Sequence, residues 1–226
     1  MFEKLEFKNE KERKSFEKFK LIKGEYLHKQ IYNVLLELHN NEKVTYYELS
    51  SYVRFDKNLR DLLYKYLATF EENIKANLCR KYDVNQFKIY KKENYKDLFN
   101  DLIENNGKEE SNLYFGLKLE LFQLLDIYEK KFDVTEIVKK QLESVRMLRN
   151  DVMHHSLLLF GNSKNLEETN ENIFYLSKQL NALYLLLPKE YRVGFEKDIN
   201  LLNYDEEHNP KFVMELCLGV MKNGIC

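Results

Sequence analysis

The chain has 226 residues, a formal net charge of −1, and only seven glycines and two prolines. Average usage would give about 27 of these two residues, and a β-sandwich or barrel needs them at its many turns. With 32% charged and 44% hydrophobic residues, the chain can build a core and keep a polar surface. We therefore expect a mostly α-helical protein, and the balanced charge argues against one that coats nucleic acid non-specifically.

The cysteines and the N-terminus indicate a reducing compartment. The cysteines, at positions 79, 217 and 226, form no CxxC pair, and their odd number argues against a disulfide framework. The N-terminal segment MFEKLEFKNEKERK is too charged for a signal peptide. The longest apolar runs are far shorter than the ~18 residues that cross a bilayer. We expect a cytoplasmic protein with no membrane partner.

Helical periodicity dominates the first third of the chain. An apolar stripe predicts a helix over 24–41. Thr45 is placed to cap a short element, with Glu48 at the capping-box position. Asp56 is then expected to cap a long helix that ends near Arg80.

The remaining helices follow from the same signals. Residues 83–96 and the surroundings of Gly107 are expected to be irregular. The predicted helices then run from Ser111 to about Lys131, from Thr135 to about Leu159, and over 167–187, 189–202 and 210–222.

The longest predicted helices have lengths suited to one antiparallel bundle. We therefore predict an all-α fold in which residues 55–187 form the bundle. Residues 1–54 would be an N-terminal helical extension, and residues 188–226 a C-terminal helical extension.

Charge is unevenly distributed along the chain. Residues 57–96 contain ten basic and five acidic side chains, whereas residues 97–136 contain ten acidic side chains and four lysines. This contrast fits alternating solvated helix faces. It also fits a local surface that grips RNA phosphates and includes Lys88, Lys91 and Lys92.

Common catalytic signatures are missing from the sequence, which has no GxxxxGK[ST], GxGxxG, HExxH or GxSxG. His28, His39 and His208 have no second ligand at metal-binding spacing. We expect these three to be partly buried polar residues of helices and predict no metal site.

The segment 144–155, SVRMLRNDVMHH, is different. On an ideal helix with the apolar stripe near 0°, His154 lies at about 180°, on an outward ridge with Arg146 and Asn150. Arg149 lies on the shoulder of the stripe, at about 40°. Packing does not explain His154, although an outward histidine is also compatible with ordinary surface.

These residue types suit RNA cleavage. A neutral imidazole takes a proton from a ribose 2′-hydroxyl, and a fixed guanidinium holds the scissile phosphate. Neither step needs a metal or a cofactor. Because Arg149 and His154 lie about 140° and about 7.5 Å apart on one helix, two copies across a two-fold axis would complete the site, which predicts a homodimer. His155 borders the apolar stripe and is expected to pack between helices.

At these residues the sequence resembles the HEPN superfamily, whose signature is an Arg, commonly a following polar residue, and a His after four to six residues. Here it reads Arg149-Asn150-Asp151-Val152-Met153-His154. Residues 55–78 look like the first bundle helix of Abi-type (abortive infection) phage-defence proteins. The resemblance covers about residues 45–190.

The resemblance implies a dimeric, metal-independent endoribonuclease that acts as a toxin or abortive-infection effector. Arg149 and His154 match the catalytic pair, and Asn150 matches the accompanying polar position. Such enzymes leave a 2′,3′-cyclic phosphate and a 5′-hydroxyl. HEPN toxins paired with a nucleotidyltransferase often carry a Tyr two residues after the His, where this chain has Ser156. A structured RNA or another protein would then be the antitoxin.

Two further interpretations stay open. A non-catalytic HEPN-like module would bind RNA or a protein partner through the same ridge, with Arg146 contacting RNA in either case. A helical scaffold protein would carry the motif by chance, which predicts a monomer with His154 far from any cleft.

Overall fold

A computed structural model of the protein describes residues 2–82 and 132–203, together with Leu125, Tyr128 and Glu129. Helices dominate this part of the chain, which confirms the predicted all-α class. In chain order the elements are β1 (Leu5–Glu6), α1 (Glu10–Lys23), α2 (Glu25–Leu38), β2 (Val44–Thr45), α3 (Tyr46–Tyr82), α4 (Glu136–Met153), α5 (Leu166–Leu186) and α6 (Lys189–Asn203).

Several predictions concern residues outside this part of the chain. They are the irregular segment 83–96, the loop at Gly107, the helix over 210–222, His208, and the RNA-contacting lysines Lys88, Lys91 and Lys92. The predicted helix over 111–131 is described only at Leu125, Tyr128 and Glu129, and all three are helical.

Local signals explain the N-terminal elements. Asn9 caps α1 by accepting a hydrogen bond from the Glu12 amide at 3.0 Å. Gly24 joins α1 to α2 with a φ of 94°, a conformation that a side chain would strain. Beyond α2, Asn40 and Asn41 turn the chain with φ values of 53° and 62°. Asparagine tolerates this left-handed region better than most residues, and here it leads into β2, which pairs in parallel with β1.

The long helix α3 is the axis of the structure. Its 37 residues span about 55 Å, and it contacts α2, α4, α5, α6 and β2. Its core-facing side chains include Leu59, Leu63, Leu67 and Phe70, each with no measurable exposure. Their spacing of three and four residues is the pattern that buries one face of a helix.

The C-terminal helices pack around this axis. Helix α4 makes its most extensive contacts with α5. Helix α6 is fixed on α3 by Phe195, whose ring lies 4.8 Å from that of Tyr66, and by the Tyr66 hydroxyl, which donates to Asp198 at 2.7 Å. Arg192 donates to the carbonyls of Leu185 and Leu187 and so closes the end of α5. In the described part of the chain, no helix is both long enough and apolar enough to cross a membrane.

Two predicted boundaries are wrong. Asp56 does not begin a helix, because α3 starts at Tyr46 and is continuous through it. The predicted division between residues 54 and 55 therefore falls inside a helix. Helix α4 ends at Met153 rather than near Leu159. Thr45 is a cap, as predicted, and accepts from the Glu48 amide at 3.2 Å. The element that it caps is α3 itself and not a separate short one.

Candidate active site

Helix α4 carries the Arg-Asn-x-x-x-His motif on a well-anchored helix. Thr135 caps its start, as the sequence predicts, by accepting from the Val138 amide. The helix buries one stripe, formed by Leu142, Val145, Leu148 and Val152. The motif lies off that stripe: Arg149 and Asn150 are half-buried, and His154 is exposed. The outward position expected for His154 is therefore the observed one.

The motif ends at a tight helix terminus that lacks the glycine by which such an end is usually recognised in a sequence. His154 is the C-cap residue directly after α4, and its amide still bonds to the Asn150 carbonyl at 2.9 Å. The next two amides, of His155 and Ser156, bond back to Val152 and Asp151 at 3.2 and 2.9 Å. This is the pattern of a Schellman motif.

His155 occupies the left-handed position of this motif, with a φ of 56°. Glycine is the usual residue there, and any other L-residue costs on the order of 1 kcal/mol. His155 is exposed, so the expectation that it packs between helices is wrong. The reason is that α4 has already ended, and the helical periodicity used to place His155 no longer applies.

Arg149 reaches across to α3. Its Nε donates to Glu71 Oε1 at 3.1 Å, and the two side chains are only 27% and 20% exposed. This bond uses one of the five N–H donors of the guanidinium. Within the described residues it is the only polar contact of the Arg149 side chain. Glu71 therefore fixes the Arg149 side chain against α3.

The connecting segment, residues 154–165, is held to α3 by a buried carboxylate. Asp56 has no exposed surface, and its Oδ1 accepts hydrogen bonds from the amides of Leu158 and Leu159 at 2.7 and 3.0 Å. Burial raises the pKa of Asp56 to about 6, against the opposing effects of Arg60 and of these two amides. Asp56 thus satisfies backbone donors that would otherwise be buried without partners.

Arg60 holds the same segment one helical turn further along α3. It pairs with Asp56 at 2.9 Å, and its Nη1 donates to the carbonyls of His155 and Ser156 at 3.1 and 2.8 Å. The two residues that follow the motif histidine are therefore fixed by a charged donor. This contact gives the end of α4, and with it His154, a defined position on α3.

Helices α2 and α5 complete the attachment of the connecting segment. Gln30 donates to the carbonyls of Gly161 and Ser163 at 2.8 and 3.1 Å, and Asn172 donates to the carbonyls of Leu158 and Leu159. A Cβ at Gly161 would approach Asn172 Oδ1 to 2.7 Å, so another residue would displace Asn172, and the φ of 49° also favours glycine. Three helices thus hold the segment that begins at His154.

Asp151 is close enough to His154 for the charge of the histidine to affect the pKa of the aspartate's carboxyl group. Burial raises the pKa of the Asp151 carboxyl, while the charge of His154 and a hydrogen bond with Ser156 lower it. Asp151 is half-buried. The end of α4 therefore presents an imidazole, a carboxylate and an amide, with the Arg149 guanidinium on the side facing α3.

The other sequence-predicted residues are also placed. Arg146 pairs with Glu143 one turn earlier on α4 and is half-buried. His28 is buried, with Nδ1 2.9 Å from the Gly24 carbonyl, and burial lowers its pKa. Among the described residues, no group of three His, Cys, Asp or Glu side chains could hold a metal ion.

The residues that sequence reasoning missed are those that position the motif. Asp56, Arg60 and Glu71 lie on α3, and their bonds to α4 and the connecting segment join residues 78 to 103 positions apart. No local pattern reports such a distance. One available signal was Asp56 itself, a carboxylate among apolar residues in the middle of a helical stripe.

Comparison of the chain with protein-family models, with curated proteins and with solved structures found no match.

Proposed function

We propose that the protein is a metal-independent endoribonuclease of the HEPN type. The observation that carries the proposal is an exposed His154 at the end of α4, five residues after an Arg149 that α3 holds in place. Exposure lets the imidazole reach a substrate, and the fixed guanidinium lowers the entropy lost on binding it.

The chemistry follows from these two groups. The His154 imidazole takes the proton of a ribose 2′-hydroxyl, and the 2′-oxygen attacks the adjacent phosphorus. The bond from phosphorus to the 5′-oxygen breaks, and that oxygen takes a proton from an imidazolium, which leaves a 2′,3′-cyclic phosphate and a 5′-hydroxyl. Arg149 stabilises the negative charge of the pentacovalent phosphorus. Asn150 orients the phosphate or the imidazole.

A second copy of the chain supplies the second proton-transfer group. One imidazole serves as base and the other as acid, which removes the difficulty that Arg149 and His154 point in different directions on one helix. The proposed assembly is therefore a homodimer of HEPN-like helical bundles with a composite cleft. We further propose that the enzyme acts in the cytoplasm as a toxin or abortive-infection effector, restrained by an RNA or protein antitoxin.

The test is cleavage of a labelled single-stranded RNA in the presence of EDTA. The parent is expected to leave 2′,3′-cyclic phosphate ends, and His154→Ala is expected to lose at least 100-fold in rate, the scale of general acid–base catalysis. The matched control is His155→Gly. It removes the neighbouring exposed imidazole, fits a φ of 56°, and is expected to retain cleavage. Cleavage that persists in His154→Ala would contradict the mechanism.

The ion pair between Arg149 and Glu71 favours a second candidate. A guanidinium already paired with a carboxylate has less charge to offer a phosphate, as expected of a non-catalytic HEPN-like module that binds RNA or a protein. This candidate predicts no cleavage by the parent or by His154→Ala, with RNA or protein binding that both share.

A further inference from the structure

We propose that the cavity beside Asp151 binds one unstacked guanine base of the RNA. This inference rests on the nuclease function proposed above and adds a substrate preference to it. It concerns a site between α2, the end of α4 and α5 that holds none of the residues Arg149, Asn150 or His154.

The cavity has a volume of about 410 Å³, within the ~300–1,000 Å³ typical of small-molecule sites. Helix α2 contributes Tyr26 and Gln30, helix α4 contributes Asp151, and helix α5 contributes Asn172, Tyr175 and Gln179. The connecting segment closes one side. Its walls belong to elements that are firmly attached to each other, so the cavity is formed before any ligand arrives.

The cavity lies near the end of α4, where His154 follows Asp151 by three residues. Asp151 lines the cavity, and the charge of His154 acts on its carboxyl. On the same helix face, seven residues before His154, Met147 accepts a hydrogen bond from the Tyr175 hydroxyl at 3.4 Å. A nucleotide whose base lies between Tyr175 and Asp151 would therefore place its ribose near His154.

Helices α2, α4 and α5 contribute four carboxylate or amide side chains to the cavity, and two of them already donate their hydrogen bonds within the protein. The amide nitrogens of Gln30 and Asn172 donate to backbone carbonyls of the connecting segment. Asp151 has a hydrogen bond with Ser156, and a carboxylate has room for further donors. Gln179 is the fourth. Gln179 is 3% exposed, and its Nε2 is buried without a hydrogen-bond partner among the described residues. A buried donor of this kind costs about 1–3 kcal/mol unless a ligand supplies an acceptor.

A carboxylate and an amide donor that line the same cavity select guanine among the four bases. An ionised Asp only accepts hydrogen bonds. On its pairing edge guanine presents two adjacent N–H donors and a carbonyl oxygen, whereas each other base presents at most one donor position there. Asp151 accepts the two N–H groups, and Gln179 donates to the carbonyl oxygen. The rings of Tyr26 and Tyr175, 73% and 44% exposed, offer faces on which the base stacks.

The experiment measures RNA binding without cleavage. The full chain carrying His154→Ala is titrated, by fluorescence anisotropy, into labelled five-nucleotide RNAs that are all uridine or have one central guanosine or adenosine. We expect the guanosine RNA to bind at least 10-fold more tightly than the adenosine RNA. Adding Asp151→Asn, or Gln179→Glu, is expected to remove this preference. The matched control, Glu136→Gln, makes the same change as Asp151→Asn at the exposed far end of α4 and keeps the preference.

Folding of each variant is verified by its circular dichroism and thermal midpoint, so a lost preference is assigned to the side chain. Equal affinity for the guanosine and adenosine RNAs, or a guanosine preference that survives Asp151→Asn, would overturn the inference. Neither result touches the cleavage test, because binding is read with an inactive variant. Conversely, a parent chain that cuts no RNA and yet prefers guanosine would remove the nuclease function and leave the base site.

Discussion

A buried carboxylate, Asp56, is one of the groups that hold the segment after α4 on α3. Its Oδ1 accepts hydrogen bonds from two amides of the connecting segment, and its Oδ2 forms an ion pair with Arg60 Nη1 at 2.9 Å. Burial without such partners costs several kcal/mol for an ion. Burial raises the pKa of Asp56 to about 6, against the opposing effects of Arg60 and the two amides.

Substitutions at Asp56 should separate its hydrogen bonds from its charge. Asp56→Asn keeps an oxygen that accepts from the amides of Leu158 and Leu159, so at pH 7 it is expected to be at least as stable as the parent. Asp56→Ala leaves both amides and Arg60 without this partner and should lose about 3 kcal/mol. Urea unfolding measures both, and equal losses for the two variants would contradict this account.

A comparison of the parent with Asp56→Asn at several pH values tests the pKa of Asp56. Because the folded pKa of about 6 lies above the ordinary value of 3.8, folded Asp56 binds more protons than the unfolded chain between these values. Its contribution to stability is present in full below about pH 3.8 and is lost as the pH rises through about 6. The stability of the parent minus that of Asp56→Asn should fall by up to about 3 kcal/mol from pH 4 to pH 7. A difference that does not change with pH would exclude a raised pKa.

Helix α3 is tied to α4 by the ion pair between Glu71 and Arg149, which is mostly shielded from solvent. Pairs that are partly buried and bonded at 3.1 Å couple more strongly than exposed pairs within one helix. The pair of Lys57 and Asp61 on α3, with side chains 53% and 64% exposed, is a natural reference.

A double-mutant cycle with Glu71→Gln and Arg149→Gln should therefore give a coupling energy of about 1 kcal/mol in urea unfolding. The corresponding cycle at Lys57 and Asp61 should give a smaller value that disappears in 1 M salt. If the Glu71–Arg149 coupling is as small as that of the reference pair, the arginine is not fixed by α3.

At the level of whole elements, periodicity predicts the helices well and their ends less well. The apolar stripes predict α2, α5 and α6 to within a few residues, because each buries one face along its whole length. The end of α4 was wrong, since His155 takes a left-handed conformation that glycine usually marks. Asp56 was misassigned because its partners lie about 100 residues away.

Of the candidate site, the sequence predicts the outward His154 and the neighbouring Arg149 and Asn150, since these follow from helical spacing. It does not predict Glu71 as the partner of Arg149, nor the cavity beside Asp151. Those features depend on how α3, α4 and α5 are arranged in space, which no periodicity encodes. The sequence thus predicts which residue types lie at the site, but not the arrangement of helices around them.

For the whole molecule, the proposed composite site predicts an assembly of two copies. Light scattering on the purified His154→Ala chain is expected to give a mass of about 55 kDa, twice the 27.4 kDa of one chain. That variant avoids the damage that an active nuclease would do to its host and changes a single exposed side chain. A mass of one chain at micromolar concentration would contradict the composite site and leave the helical fold unaffected.

The long distance along the sequence between α3 and the segment around the motif also has a consequence for biosynthesis. Residues 56, 60 and 71 leave the ribosome well before the segments they hold, which lie 78 to 103 positions later. Until residues 154–165 have emerged, Asp56 and Arg60 lack the partners that they hold in this segment. If the proposed cleavage depends on the anchoring of this segment, the activity arises only after the segment has left the ribosome.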